Sequence, residues 1–152
     1  MAFATATASA QVELHRAYTG VRPDSVPASF ANDRLFPFMS REPFIEARHI
    51  LGATTGYKEG MGSYVEIAIT AEALRKINEL AASNAAAIDR GAFDSVIGIA
   101  TVVDGKPITV TQGVHEQLPT PVIPWFLGNF QLSRDAMAEA EAWAETIRRG
   151  RR

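Results

Sequence analysis

"TVVDGKPITV", residues 101–110, is a run of strand-forming residues that meets Asp104-Gly105 and turns at once into another. Asp-Gly between two apolar runs signals a two-residue type I′ turn, whose central residues need positive φ. That turn sets Val103 opposite Lys106, Val102 opposite Pro107 and Thr101 opposite Ile108. Pro107 then falls at a pair that exchanges no ladder hydrogen bonds, where its missing N–H costs nothing. The register predicts a core face of Ile97, Ile99, Val103, Ile108 and Val110, with Gly98, Ala100, Thr109 and Thr111 on the other side. No acid, base or nucleophile is placed for chemistry on this hairpin, so its expected part is architectural.

Upstream, "YVEIAI" (64–69) alternates, with Val65, Ile67 and Ile69 on one side and Tyr64, Glu66 and Ala68 on the other, the pattern of a half-buried strand. Thr70 is a helix cap, and Glu72 in the first turn suits the positive end of the helix dipole. Leu74, Ile77, Leu80, Ala81, Ala85 and Ile88 come next at helical spacing, and Gly91 is the expected stop. Earlier still, "FIEARHIL" (44–51) suits a strand or a helical turn equally, and the three glycines of "GYKEGMGS" (56–63) read as a loop. Downstream, "PTPVIPWFLGNF" (119–130) is broken by prolines and then extended. A last helix is capped by Ser133, lined by Met137, Ala140, Trp143 or Ala144, and Ile147, and stopped at Gly150.

The order from residue 44 is strand or turn, strand, helix, strand, strand, strand, helix. It predicts an α+β fold, ferredoxin-like, in which two helices pack on one face of a mostly antiparallel sheet. Residues 44–152 are read as this domain, and residues 1–43 as a partly disordered extension. Four prolines are spread through 23–43 among Gly, Ser, Asp and Asn. Phe30, Leu35, Phe36 and Phe38 are too apolar for a free tail and are expected to dock on the domain or on a partner. Ala8-Ser9-Ala10 has the small-x-small form of an export-signal cleavage site, without the basic region and apolar run that precede one. It reads as a signal remnant or as an Ala/Thr tail.

The 152 residues are enough for one core, and a net charge of -2 gives no electrostatic reason to expect nucleic acid or an anionic membrane. Absence of cysteine excludes disulfides, thiolate metal sites and a cysteine nucleophile. No window approaches the ~18 consecutive apolar residues of a membrane span.

Three stretches together, "YVEIAITAEALRKINELAASN", "GIATVVDGKPIT" and "GNFQLSRDAMAEAEAWAETIRRG", resemble the head subdomain of the first periplasmic domain of SecD and SecDF, accessory subunits of the Sec preprotein translocase. The shared features are Asn84 at the end of a helix, the Asp104-Gly105 turn, Gly128 and Phe130 at a strand end, and Arg148 and Gly150 at a helix stop. They are structural features spread over residues 44–150. The chain departs from the family in its early Pro107, in the loop "LPTPVIP", and in lacking the transmembrane bundle. The resemblance implies a stand-alone SecD-head-like fold, a periplasmic or exported location, and contact with unfolded polypeptide.

Motifs for chemistry are scarce. His15, His49 and His115 are isolated, and His115-Glu116 does not lead into HExxH spacing. "GYKEGMGSY" precedes a strand and so lacks the helix N-terminus of a phosphate loop, and no serine sits in GxSxG. Asp89, Asp94 and Asp104 read as helix-end, loop and turn residues. No cofactor or metal is expected. By strand alternation Phe126 and Phe130 face the core, and Trp125 and Leu127 form an apolar patch on the open sheet face, either a binding surface or the seat of the phenylalanines of 30–38. The first functional reading is a non-enzymatic protein- or peptide-binding module of the cell envelope, using a strand edge or the open face. The alternatives are a small enzyme with a dispersed site at His49, His115 and Glu116, and a homo-oligomer joined through sheet edges.

Overall fold

Val12–Tyr18, the strand β1, lies in the middle of the larger of two sheets, although its sequence does not announce it. The computed structural model describes residues 11–30, 34–111, 114–126 and 134–149. After β1 come β2 (Ser25–Pro27), β3 (Phe38–Ser40), β4 (Ile50–Lys58), β5 (Gly62–Ile69), the helix α1 (Ala71–Asp89), β6 (Gly98–Val103), β7 (Lys106–Thr111), β8 (Val122–Phe126) and the helix α2 (Arg134–Arg149). The class is α+β with antiparallel strands, as the element order implies. The strands divide, however, between a five-stranded sheet in the order β2-β3-β1-β6-β7 and a three-stranded sheet in the order β4-β5-β8.

The expected boundary at residue 44 therefore needs correction. β1 pairs with β6 from Val12↔Val103 to Ala17↔Gly98 and with β3 on its other side. The backbone of Leu14 also bonds Phe44 and Ile45, so the segment assigned to an extension is stitched into the domain. Residues 1–10 lie outside the described part. Phe30 and Phe36 do dock on the domain, packing with Ala17, Met39, Ala100, Val102 and Val110 in a second core on the outer face of the five-stranded sheet. Leu35 stays exposed.

The hairpin turn forms as read, with Asp104 at φ 51 and Gly105 at φ 79. Asp104 also fixes the start of β1: its N–H donates to the Gln11 carbonyl at 2.9 Å, and its Oδ1 accepts from the Gln11 N–H at 2.8 Å. Beyond Val102↔Pro107 the pairing shifts to Thr101↔Thr109 and Ala100↔Val110, so Ile108 is an extra residue in β7. One extra residue reverses the facing of every later residue in the strand. Val110 thereby moves from its expected face to that of Ala100, and the face expected to be small and polar becomes the second core.

Residues 56–63 are mostly strand, because β4 and β5 run on into the glycine-rich stretch and leave only 59–61 as the turn. Gly56 pairs with Tyr64, whose ring occupies the space a Cβ would need, so glycine here admits the close approach rather than breaking the strand. "FIEARHIL" resolves into a 3-10 turn at Ala47–His49 leading into β4. The alternation of β5 holds, with Val65, Ile67 and Ile69 buried in the main core.

α1 begins at Thr70, whose hydroxyl accepts from the Ala73 N–H, and stops at Gly91, with Gly91 and Ala92 donating back to Ile88 and Ala87. It packs Ala73, Ile77 and Leu80 into the main core, and α2 adds Ala140, Ala144 and Ile147. Met137, expected on that line, is exposed. Ser133 and Gly150 lie outside the described residues.

That grip is polar. Arg148 donates to the Ala53 carbonyl, Glu141 and Glu145, each at 2.9 Å, and Thr55 donates to Glu141 at 3.2 Å. The Arg148 hydrogen bond, then that of Thr55, holds the Glu141 carboxyl below its ordinary 4.5. A lowered carboxyl pKa stabilises the fold above the ordinary value, and the contribution disappears as pH falls through the folded pKa. Thermal stability should accordingly decline as pH falls below the ordinary 4.5. In Glu141→Gln that acid decline should be smaller, which melting curves across the range would measure.

Candidate functional site

The residues expected to form a dispersed site are held apart. His49 is buried at the N-terminal end of α1, with Nδ1 2.7 Å from the Thr70 Oγ1 and Nε2 3.7 Å from the Glu72 carboxylate. His115 lines a groove together with Ile88, which lies near the other end of the helix. From Glu72 to Ile88 the helix rises about 24 Å. Glu116 is exposed next to His115. Among the described residues no three His, Cys, Asp or Glu side chains group as metal ligands. His49 instead supports the helix cap, and the buried His15 donates from Nδ1 to the Ser40 carbonyl at 2.8 Å, tying β1 to β3.

The patch expected at Trp125 and Leu127 begins on β8, at a residue whose side chain lies outside the described part. Along the β5–β8 ladder Trp125 pairs with Val65 and Phe126 with Tyr64. Leu127 lies outside the described residues. Phe30 and Phe36 cover the other sheet and cannot be the cover for β8.

What the fold does build is an apolar groove of about 630 Å³ at the end of the five-stranded sheet where β1 ends and β6 begins. Ile88 of α1 forms one wall, and Leu35 and Phe36 form another. Phe93 and Val96, between α1 and β6, and Thr19 and His115 complete it. Leu35 and Phe93 are 66% and 65% exposed, which leaves most of both side chains available to something placed in the groove. Asp94 adds a carboxylate at the rim.

The walls are fixed by a polar skeleton. Asn84 is fully buried in α1; its Nδ2 donates to the carbonyls of Ile97 and Val114, each at 2.9 Å, and its Oδ1 accepts from the Ile97 N–H at 2.9 Å. One side chain thereby sets the position of the segments that carry Val96 and His115. Asn78 holds the next stretch, accepting from the Leu118 N–H at 2.8 Å. On the far wall Thr19 donates to the Asp94 carbonyl at 3.1 Å. Below it Tyr18 donates to Asp24 at 2.9 Å, and Arg22 stacks 5.0 Å over its ring. Burial, and to a lesser degree the bond to Asp24, pushes the Tyr18 phenol above its ordinary 10.0.

The groove draws on loops distant in sequence, so no local motif foretold it. The one signal was the unexplained apolarity of Leu35 and Phe36 in a proline-rich stretch.

Set against solved structures, the chain has a SecD-like fold. A SecDF chain in a super-membrane-facing form matches 93% of this chain with a TM-score of 0.57 and 13% identity, this chain spanning 19% of it. A second structure, of the membrane component SecDF that enhances protein export, matches 93% of this chain at a TM-score of 0.56 and 14% identity. This chain spans 63% of that one, so it covers less than two thirds of either. At such identity the likeness concerns the fold. No family model matches the sequence, and no curated protein sequence matches it. Among the described residues no helix is long and apolar enough to cross a membrane.

Proposed function

We propose that this chain is a non-catalytic module of protein export that holds extended, unfolded polypeptide outside the membrane, as a relative of the SecD head. The observation that carries this reading is the apolar groove with Leu35 and Phe93 exposed in it, set in a SecD-like fold that covers 93% of the chain. A lining of this kind desolvates apolar side chains of a client and offers it few polar groups, Thr19, Asp94 and His115. Such a groove tolerates many client sequences, because apolar contact is non-directional.

The test is titration of a labelled, permanently unfolded polypeptide, monitored by fluorescence anisotropy, against the wild type and Leu35→Ser/Phe93→Ser. Both side chains are already mostly exposed, so the melting temperature of the variant should stay close to that of the wild type. Losing their contact with a client should cost about 2 kcal/mol, roughly a thirtyfold loss of affinity. Unchanged affinity in a folded variant would exclude this groove as the binding surface.

A further inference from the structure

A second groove, of about 520 Å³, lies between α1 and the junction of β1 with Pro43 and Phe44. It shares no lining residue with the apolar groove, although Ile97 lines this one and Val96 the other. Its character is different: Arg16, Arg75 and Lys76 face it with a single carboxylate, Glu79. Glu79 is already engaged in an ion pair with Arg75 at 2.6 Å. Arg16 and Lys76, both half-buried, have no ion-pair partner among the described residues.

Arg16 is the more telling of the two. Its guanidinium carbon lies over the Phe44 ring, 4.5 Å from the centroid, which holds the fork in place. Stacking leaves the in-plane N–H donors of the fork open, and arginine stays charged at any ordinary pH. A half-buried cation without a counter-charge is unfavourable in an isolated domain. Leu80, Ile97 and Phe44 supply apolar surface directly beside it. The combination selects a planar anion attached to something apolar.

We propose that this groove binds a carboxylate flanked by an apolar side chain on a polypeptide, with Arg16 gripping the carboxylate and Lys76 adding charge. Two sources share that chemistry: the C-terminus of a chain and an acidic residue next to an apolar one. This site does not rest on the apolar groove, and it gives the molecule a polar anchor beside an unspecific apolar one.

The experiment is calorimetric titration of the purified chain with three probes: N-acetyl-Leu-Phe as the free acid, its C-terminal amide, and N-acetyl-Phe-Glu amide. Preference for the free acid over its amide supports the site and assigns it to chain ends. Binding of the glutamate peptide supports it and assigns it to acidic residues. If neither carboxylate binds better than the amide, the proposal is overturned. Arg16→Met keeps the apolar stem and should lower carboxylate affinity by roughly tenfold or more, the loss expected for a charged hydrogen bond. Its melting temperature should not fall, because an unpaired charge is removed. Lys76→Met, on the helix surface, should weaken binding in the same direction, while Leu35→Ser/Phe93→Ser should leave it intact. Wild-type affinity in both cation variants would overturn the assignment.

Discussion

A chain lacking residues 1–43 is expected not to fold. The deletion takes out β1, which separates β3 from β6, and leaves the ladder of β6 without its partner on that side. It also removes Val12, Leu14, Phe30, Phe36 and Met39, all buried. At about 1.5–3 kcal/mol for each buried apolar side chain, the loss is of the order of 10 kcal/mol. Whole domains of this size are stable by only about 5–15 kcal/mol. Circular dichroism of the 44–152 fragment should show no cooperative melting transition. A cooperative transition near that of the full chain would mean that β1 is dispensable, contrary to its place in the sheet.

Asn84→Ala should be strongly destabilising. It leaves the Ile97 N–H, the Ile97 carbonyl and the Val114 carbonyl without their partner at a site with no solvent exposure. An unsatisfied buried group costs about 1–3 kcal/mol, so three of them, partly relieved by relaxation, should cost about 3–5 kcal/mol. Urea denaturation should show that loss with little change in slope. Asn84→Asp tests the geometry. It keeps an acceptor for the Ile97 N–H but turns a carboxylate oxygen toward two carbonyls, so at neutral pH it should be no better than alanine. If Asn84→Ala lost less than about 1 kcal/mol, water or another group must replace the amide, and Asn84 would not be what sets the groove walls.

The outline of the fold could be read from the sequence wherever local chemistry dictates local structure. Thr70 as a cap, Gly91 as a stop, Asp104-Gly105 as a turn and the alternation of Val65, Ile67 and Ile69 each depend on neighbours a few residues away. What escaped the reading depends on distant partners. β1 reads poorly as a strand because both of its faces are covered, so polar His15 is buried on one side through its bond to Ser40 while Leu14 is buried on the other. The bulge at Ile108 is invisible to a rule of strict alternation, and it alone moved Val110 to the other face. The division into two sheets is a property of pairing that no single stretch encodes.

The candidate site was harder to see than the fold. Histidines and a tryptophan drew notice because their chemistry or size is conspicuous. The grooves are made from common residues, Leu35, Phe93, Ile88 and Arg16, brought together by loops and by the skeleton of Asn84. The resemblance carried by Asn84 and by the hairpin pointed to the right fold, because those residues hold the loops in place rather than meet a ligand.

The central claim, that the apolar groove receives unfolded polypeptide, is tested most directly by photocrosslinking. A photoreactive side chain placed at position 93 in the groove is compared with one at position 137, the exposed site of Met137 on α2, in the presence of a reduced, unfolded protein. Adducts from position 93 and not from 137, lost when the same protein is added in its native disulfide-bonded state, are the expected result. No adduct from 93, or equal adducts from both positions, would contradict the claim.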